Sequence, residues 1–286
     1  FAVVLRRLEA TVPTLETLHL PGIFREITKE KTGLVLVTGA TGSGKTTTLA
    51  AMLNEINATK AVHIVTLEDP IEFVHPFLKG TFNQRELGQD FNNYANGLRA
   101  ALRQAPKVIL VGEMRDRATV EIALMASETG HLVLSTLHTV DAGQSINRIL
   151  GMFTLGEEQQ LRVRLSDVLR YVVSQRLAPK TGGGRQLLME IMGNNLRTKE
   201  AVALGETEHR NFYEIIEASS QLGWMTFDQC ILNAFQNDLI SEETAGLYAS
   251  RKGTVARGID LILKTRGVNS ELESGLRMDV PTNAFV

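Results

Sequence analysis

The chain has 286 residues, 43% of them apolar and 22% charged, with a formal net charge of −2. That is an ordinary globular composition, with room for one large domain or two smaller ones and a core that needs no staples. Near-neutral charge gives no bulk attraction to nucleic acid or an acidic membrane, no apolar run is long enough to span a bilayer, and the single cysteine, Cys230, excludes an intrachain disulfide and a cysteine zinc cluster.

The chain opens at Phe1 in a strand-like run, Phe1 to Leu8, so we expect a piece of a longer protein. Thr11 to Pro21 holds two prolines and reads as a linker; Ile23 to Lys31 reads as a short helix. Leu34 to Val37 is a short apolar run, a buried strand, and it leads into Gly39-Ala40-Thr41-Gly42-Ser43-Gly44-Lys45-Thr46. The following segment, Thr46 to Ile56, carries Leu49, Met52, Leu53 and Ile56 at helical spacing. Val62 to Leu67 is a second strand, stopped by Glu68-Asp69-Pro70. Ile71 to Asp90 reads as irregular, and Asn92 to Gln104 as a helix with Arg99 and Arg103 on one face. Val108 to Val111 is a third strand, followed by a helix over 117–129 with Asp116 as N-cap and Gly130 at C′. Leu132 to Leu137 is a fourth strand, ending at His138. Leu161, Leu165, Val168, Leu169 and Val172 predict a helix across 157–177, and Gln186 to Met192 another strand. From Arg197 to Lys264 the pattern is helical in short pieces, and beyond Gly267 it is polar and aperiodic, a disordered tail. Alternating strands and helices, with strands apolar on both faces, imply an α/β fold with a mainly parallel sheet and a C-terminal all-helical region.

Gly39, Gly44, Lys45 and Thr46 complete a phosphate-loop pattern in its strand–loop–helix setting. Small residues let successive backbone N–H groups point at an anion, and the helix start adds its positive dipole end. We take Thr41, Gly42, Ser43, Gly44, Lys45, Thr46 and Thr47 as nucleotide-binding, with Lys45 on the β- and γ-phosphates and the Thr46 hydroxyl on Mg²⁺. Ligands of open parallel sheets bind at the carboxyl ends of the strands, and Glu68-Asp69, Glu113 and His138 fall at such ends. Val108 to Glu113 looks like a Walker B strand with Gly112 where Asp is common. Mg²⁺ would then be met by Glu113, directly or through water, or by Glu68 or Asp69. A carboxylate there can orient or deprotonate the attacking water, and His138 can sense the γ-phosphate. His131, at the other end of its strand, reads as structural. Arg85, Arg99, Arg103, Arg115, Arg6 and Arg7 are candidates for the positive group that phosphoryl transfer uses, a group that a neighbouring subunit can supply.

The stretches GATGSGKTTTLAAMLN, TLEDPIEFVH, LRAALRQAPKVILVGEMRD and ASETGHLVLSTLHTVDA resemble the Walker A, Asp, Walker B and His boxes of the secretion-superfamily ATPases, most closely the type IV pilus retraction branch. The resemblance runs from Phe1 to Met192. It implies a RecA-like core over 23–193, the last strand of a PAS-like domain over 1–10, a linker over 11–22, a helical region over 194–266 and a tail over 267–286. It implies Glu68, Glu113 and His138 as catalytic residues, with Arg85, Arg99 and Arg103 near the active site or the subunit interface. It further implies ATP and Mg²⁺, a homohexamer on the cytoplasmic face of the inner membrane, an inner-membrane platform protein as partner, and pilin acted on indirectly. The expected function is a motor that powers pilus retraction and twitching motility; the alternative is a pilus-assembly or type II secretion ATPase. Assembly ATPases usually carry a four-cysteine zinc site, and Cys230 stands alone here. Retraction ATPases tend to carry a helix reading close to Ala-Ile-Arg-Asn/Ala in the C-terminal region; this chain reads Asn195-Leu196-Arg197-Thr198-Lys199-Glu200-Ala201-Val202. Two other classes compete. A nucleotide-gated binding module would need neither Glu68 nor Glu113. A DNA translocase is disfavoured by the net charge and the lack of a basic–aromatic stretch, so no nucleic-acid partner is expected.

Overall fold

The computed structural model describes residues 11–208 and 210–267, and the strand expected over 1–8 and all but the first residue of the expected tail lie outside them. The described residues divide into two compact units: 11–177 together with 187–226, and 178–186 together with 227–267.

The first unit begins with α1 (Ile23–Lys29), β1 (Gly33–Thr38) and α2 (Lys45–Thr59). Next come β2 (His63–Glu68), β3 (Thr81–Glu86), α3 (Tyr94–Leu102), β4 (Val108–Val111), α4 (Arg117–Glu128) and β5 (Leu132–Leu137). They are followed by α5 (Ala142–Leu150), α6 (Leu155–Val168), β6 (Leu169–Pro179), β7 (Arg185–Gly193), α7 (Leu196–Leu204) and α8 (Phe212–Glu217). The seven strands form one sheet in the order β3-β2-β4-β5-β1-β6-β7. The pairs β3–β2, β2–β4, β4–β5, β5–β1 and β1–β6 are all parallel. Leu34 to Val37 and Val108 to Val111 are buried along their whole length, because helices cover both faces. Leu49, Met52, Leu53 and Ile56 of α2 are buried, as their spacing predicts. Asp116 caps α4 by accepting the first-turn N–H of Thr119 at 2.9 Å, and Gly130 follows the helix with φ of 99°. The expected α/β class, with a mainly parallel sheet and C-terminal helices, is the fold observed.

Two expectations give way. The helix expected over 157–177 ends at Val168, and β6 begins at Leu169. Its apolar residues fit either period, and Tyr171, Val172 and Val173 favour a strand once β1 offers a free edge: Val35 pairs with Tyr171 and Val37 with Val173. The segment read as irregular, Ile71 to Asp90, contains β3, paired to β2 from His63↔Thr81 through Glu68↔Glu86. Thr-Phe-Asn-Gln-Arg-Glu has little apolar alternation because β3 lies at the sheet edge and is half exposed.

Beyond β7 the chain turns back on the sheet at Gly193, where a Cβ would stand 2.5 Å from the Trp224 ring, so only glycine admits the indole. Asn195 accepts the Thr198 N–H at 2.9 Å and starts α7. In the second unit, α9 (Phe227–Gln236), α10 (Glu242–Tyr248) and α11 (Lys252–Thr265) group with the turn at 178–186, where Thr181 N–H donates to the Leu239 carbonyl. Buried Asp228 accepts the Ser250 and Arg251 N–H groups at 2.7 and 2.9 Å, which fixes the entry into α11. Helical pieces between Arg197 and Lys264 are as expected.

Candidate active site

The phosphate loop leaves β1 at Gly39, whose φ is 142°; a Cβ there would lie 2.4 Å from the Gln175 carbonyl and 2.5 Å from Ser43 Oγ. Gly42 and Gly44 also have positive φ. Gly44 occupies the N-cap of α2 and supplies no capping side chain, so the first-turn N–H groups are left for an anion. Lys45 is 8% exposed and folds over the loop, its Nζ donating to the Gly39 and Ala40 carbonyls at 2.9 and 3.0 Å. Burial pulls its ammonium below the usual lysine range, a tension that a bound polyphosphate relieves. Ser43 Oγ is buried without a hydrogen-bond partner. An orphaned hydroxyl, an uncapped helix start and a glycine cradle together fit a nucleotide phosphate chain.

Strand order places the rest. β5 lies between β1 and β4, and β4 lies between β5 and β2. His138 follows β5, Glu113 follows β4 and Glu68 ends β2, so all three stand on the same sheet edge as the loop. The Glu113 side chain is 14% exposed; it pairs with the Arg115 guanidinium through one oxygen and stands 3.4 Å from His138 Nε2 through the other. Burial first, then the charges of Lys45 and Arg115, holds His138 below the usual histidine range, so its ring is neutral at pH 7. That Lys45 acts on His138 places the loop and the His box in one field. Glu113, Arg115, Thr136, His138, Thr139 and Arg148 line a cleft of about 270 Å³.

Glu68 is buried, and burial raises its carboxyl above the usual range. Its Oε1 accepts from Thr66 Oγ1 at 2.6 Å and Gln84 Nε2 at 3.0 Å. Beside it stands the Tyr94 hydroxyl, at the distance where a Cβ on Gly112 would meet it at 2.9 Å. Burial and the nearby Asp69 push that phenol up to about 12. Gly112 at the position before Glu113 is therefore what makes room for Tyr94. With the Thr46 hydroxyl, the carboxylates supply hard oxygen donors suited to Mg²⁺, an ion usually held by few protein ligands plus phosphate and water.

Residues 3–247 match the family described as type II/IV secretion system protein. The chain belongs to that family. It is 45% identical over 242 residues to the type IV pilus retraction ATPase PilT of Pseudomonas aeruginosa, covering 85% of this chain and 70% of that one. It is 46% identical over 246 residues to a twitching motility protein of Neisseria gonorrhoeae, covering 85% of this chain and 65% of that one. The chain thus spans about two thirds of the length of these curated relatives. The crystal structure of the pilus retraction motor PilT with bound ADP superposes with a TM-score of 0.80 at 43% identity, over 88% of this chain and 71% of that one.

Within this secretion-family site, the structure does not bring Arg85, Arg99 or Arg103 onto the carboxylates. Arg85 sits on β3 opposite Leu67, Arg99 donates to Asn96 Oδ1 at 3.0 Å, and Arg103 caps the end of α3. Among the described residues none of the three forms an ion pair with Glu68 or Glu113. Sequence reading missed Gln84, Tyr94 and Gln175, whose Nε2 donates to Thr48 Oγ1 at 2.7 Å behind the loop. Gln84 lay in the unrecognised strand, and Tyr94 and Gln175 belong to no local motif. Arg148 was also missed, and only the cleft reveals it.

Proposed function

We propose that this chain is a motor ATPase that hydrolyses ATP to power retraction of type IV pili, and so twitching motility. The observation that carries the reading is the placement of Glu113, gripped by His138 and Arg115, one strand away from the strand that borders the phosphate loop. The backbone N–H groups of 41–47 and Lys45 hold the β- and γ-phosphates, and Thr46 with Glu68 or Glu113 holds Mg²⁺ directly or through water. Bound Mg²⁺ supplies charge neutralisation at the phosphates. Glu113 orients the attacking water and takes its proton; His138, neutral and within reach of Glu113, reports the terminal phosphate. Arg85, Arg99 and Arg103, left unpaired with the site carboxylates in the single chain, serve the site of a neighbouring subunit in a homohexamer. The ring works from the cytoplasmic face of the inner membrane on a platform protein there, and on pilin indirectly. Among the described residues no helix is long and apolar enough to cross a membrane.

The test is ATPase rate against protein concentration, read beside mass in solution. Specific activity that climbs as hexamers form supports a shared site and a ring motor. A flat rate from a monomer would overturn it, because each chain would then hold a complete site. The pilus-assembly or type II secretion reading is separated by complementation: a strain that builds but cannot retract pili is restored by this chain under the retraction reading only.

A further inference from the structure

We propose that Gln84 is the positioning residue for the Glu68 carboxylate, a side-chain clamp that aims Glu68 at the nucleotide site and ties it to the segment at 71–75. The inference rests on the reading of Glu68 as a member of that site.

Gln84 makes three hydrogen bonds. Its Nε2 donates to Glu68 Oε1 at 3.0 Å and to the Phe73 carbonyl at 2.8 Å, while its Oε1 accepts the His75 N–H at 2.9 Å. The two backbone partners have fixed polarity: a carbonyl only accepts and an N–H only donates. The amide therefore has one orientation. A flip would set its oxygen against the Phe73 carbonyl and the Glu68 carboxylate together. Backbone at 73–75 thus forces an N–H donor to face Glu68.

The surroundings make that donor matter. Glu68 is 8% exposed and ends β2, where its side chain has little water to orient it. Thr66, two residues earlier on the same face, donates to the same oxygen at 2.6 Å. A carboxylate held by two donors from two strands cannot rotate about its terminal torsion without breaking both. Glu86, two residues beyond Gln84 on the same face of β3, accepts the Ile71 N–H at 3.1 Å. The edge strand therefore holds the 71–75 segment at two points and passes its position to Glu68 through one amide. Misplacing a catalytic group by about an ångström can cost on the order of 100-fold in rate, so the clamp is a rate device rather than a binding one.

Two substitutions in the full chain separate the ends of the clamp. Gln84→Glu keeps an acceptor for His75 but replaces the fixed N–H donor facing Glu68 with a second carboxyl that must share a proton with it. Gln84→Leu removes both ends. We expect Gln84→Glu to lower kcat for ATP by roughly 10-fold to 100-fold, with nucleotide affinity held within about two-fold. In the nucleotide-free protein, the His75 amide should keep its hydrogen-exchange protection in Gln84→Glu and lose it in Gln84→Leu. Added to Glu68→Gln, the Gln84→Glu change should cost nothing further, because the group it positions is already gone. A wild-type kcat in Gln84→Glu, or full additivity with Glu68→Gln, overturns the proposal. If Glu68→Gln alone turns over at the wild-type rate, the reading of Glu68 falls and the clamp falls with it. If Gln84→Leu fails to fold, Gln84→Glu still decides.

Discussion

His138 Nε2 stands 3.4 Å from Glu113 Oε2, while the other oxygen of the same carboxylate is taken by Arg115. Glu113 is thus held from both sides at the end of β4, with Arg115 on one oxygen and the His138 ring near the other. A carboxylate in that condition suits a base for water better than a structural ion pair, because one side of it opens on the cleft that His138 and Arg148 share.

Glu113→Gln should therefore keep nucleotide binding and lower steady-state ATP turnover by at least ~100-fold, the usual scale for a positioned acid–base group. Binding of a fluorescent ATP analogue, measured beside the rate, separates the two effects. An unchanged rate would move the catalytic role to Glu68. By contrast, Lys45→Ala should abolish or nearly abolish the binding itself, since Lys45 is the one fixed positive charge of the cradle.

Most of this site is legible in the sequence because its parts are local. The phosphate loop needs glycine at positions where φ is positive, and Gly39, Gly42 and Gly44 stand there. The cap at Asp116 needs a short acceptor before a helix, and the strand ends at Glu68, Glu113 and His138 follow apolar runs. What the sequence hides is set by pairing across distance. β3 is polar and becomes a strand through its ladder with β2. The first residues of β6 continue the apolar stripe of α6 and change period only because β1 offers an edge. Gln84 and Tyr94 reach Glu68 and Gly112 through the fold, and no spacing in the chain announces either contact.

Stability should fall in acid through His75. The ring is buried and stacked on Phe82 at 4.4 Å, and burial pulls its pKa down to about 4. The unfolded chain takes up a proton near 6.5, the folded chain only near 4, so the unfolded state binds more protons between those values. This contribution is fully present above 6.5 and is lost as pH falls toward 4, reaching about 2 kcal/mol at pH 5. Urea unfolding at pH 7.5 and pH 5 measures it. His75→Phe should keep the stack and flatten this part of the pH dependence; an equal slope in the variant would place the loss elsewhere.

Asp228→Ala should weaken the second unit and spare the chemistry. The carboxylate is buried and accepts two backbone N–H groups at the start of α11, so its loss leaves both donors without their acceptor. The expected cost is about 2 kcal/mol, read as a lower melting transition. Nucleotide affinity in the folded protein should be unchanged. A fall in affinity at a temperature where the chain is folded would contradict this separation.

The arginines allow a test that a single chain cannot mimic. Arg85, Arg99 and Arg103 form no ion pair with Glu68 or Glu113 among the described residues, although phosphoryl transfer gains from a positive group near the terminal phosphate. If one of them serves the next subunit, then Lys45→Ala and Arg99→Ala chains are each inactive for a different reason: the first cannot bind nucleotide, the second cannot complete its neighbour's site. Mixed in one ring, an Arg99→Ala chain that binds ATP can sit beside a Lys45→Ala chain that still offers Arg99. Activity should then reappear, reaching about a quarter of the wild-type rate for equal random mixing, because one interface in four joins a competent cradle to an intact arginine. The same mixing run with Arg85→Ala and Arg103→Ala identifies which arginine crosses the interface. A mixture as inactive as its parts for all three would remove them from the shared site and leave Arg115 and Arg148, which already line the Glu113 cleft, as the positive groups that act within one chain.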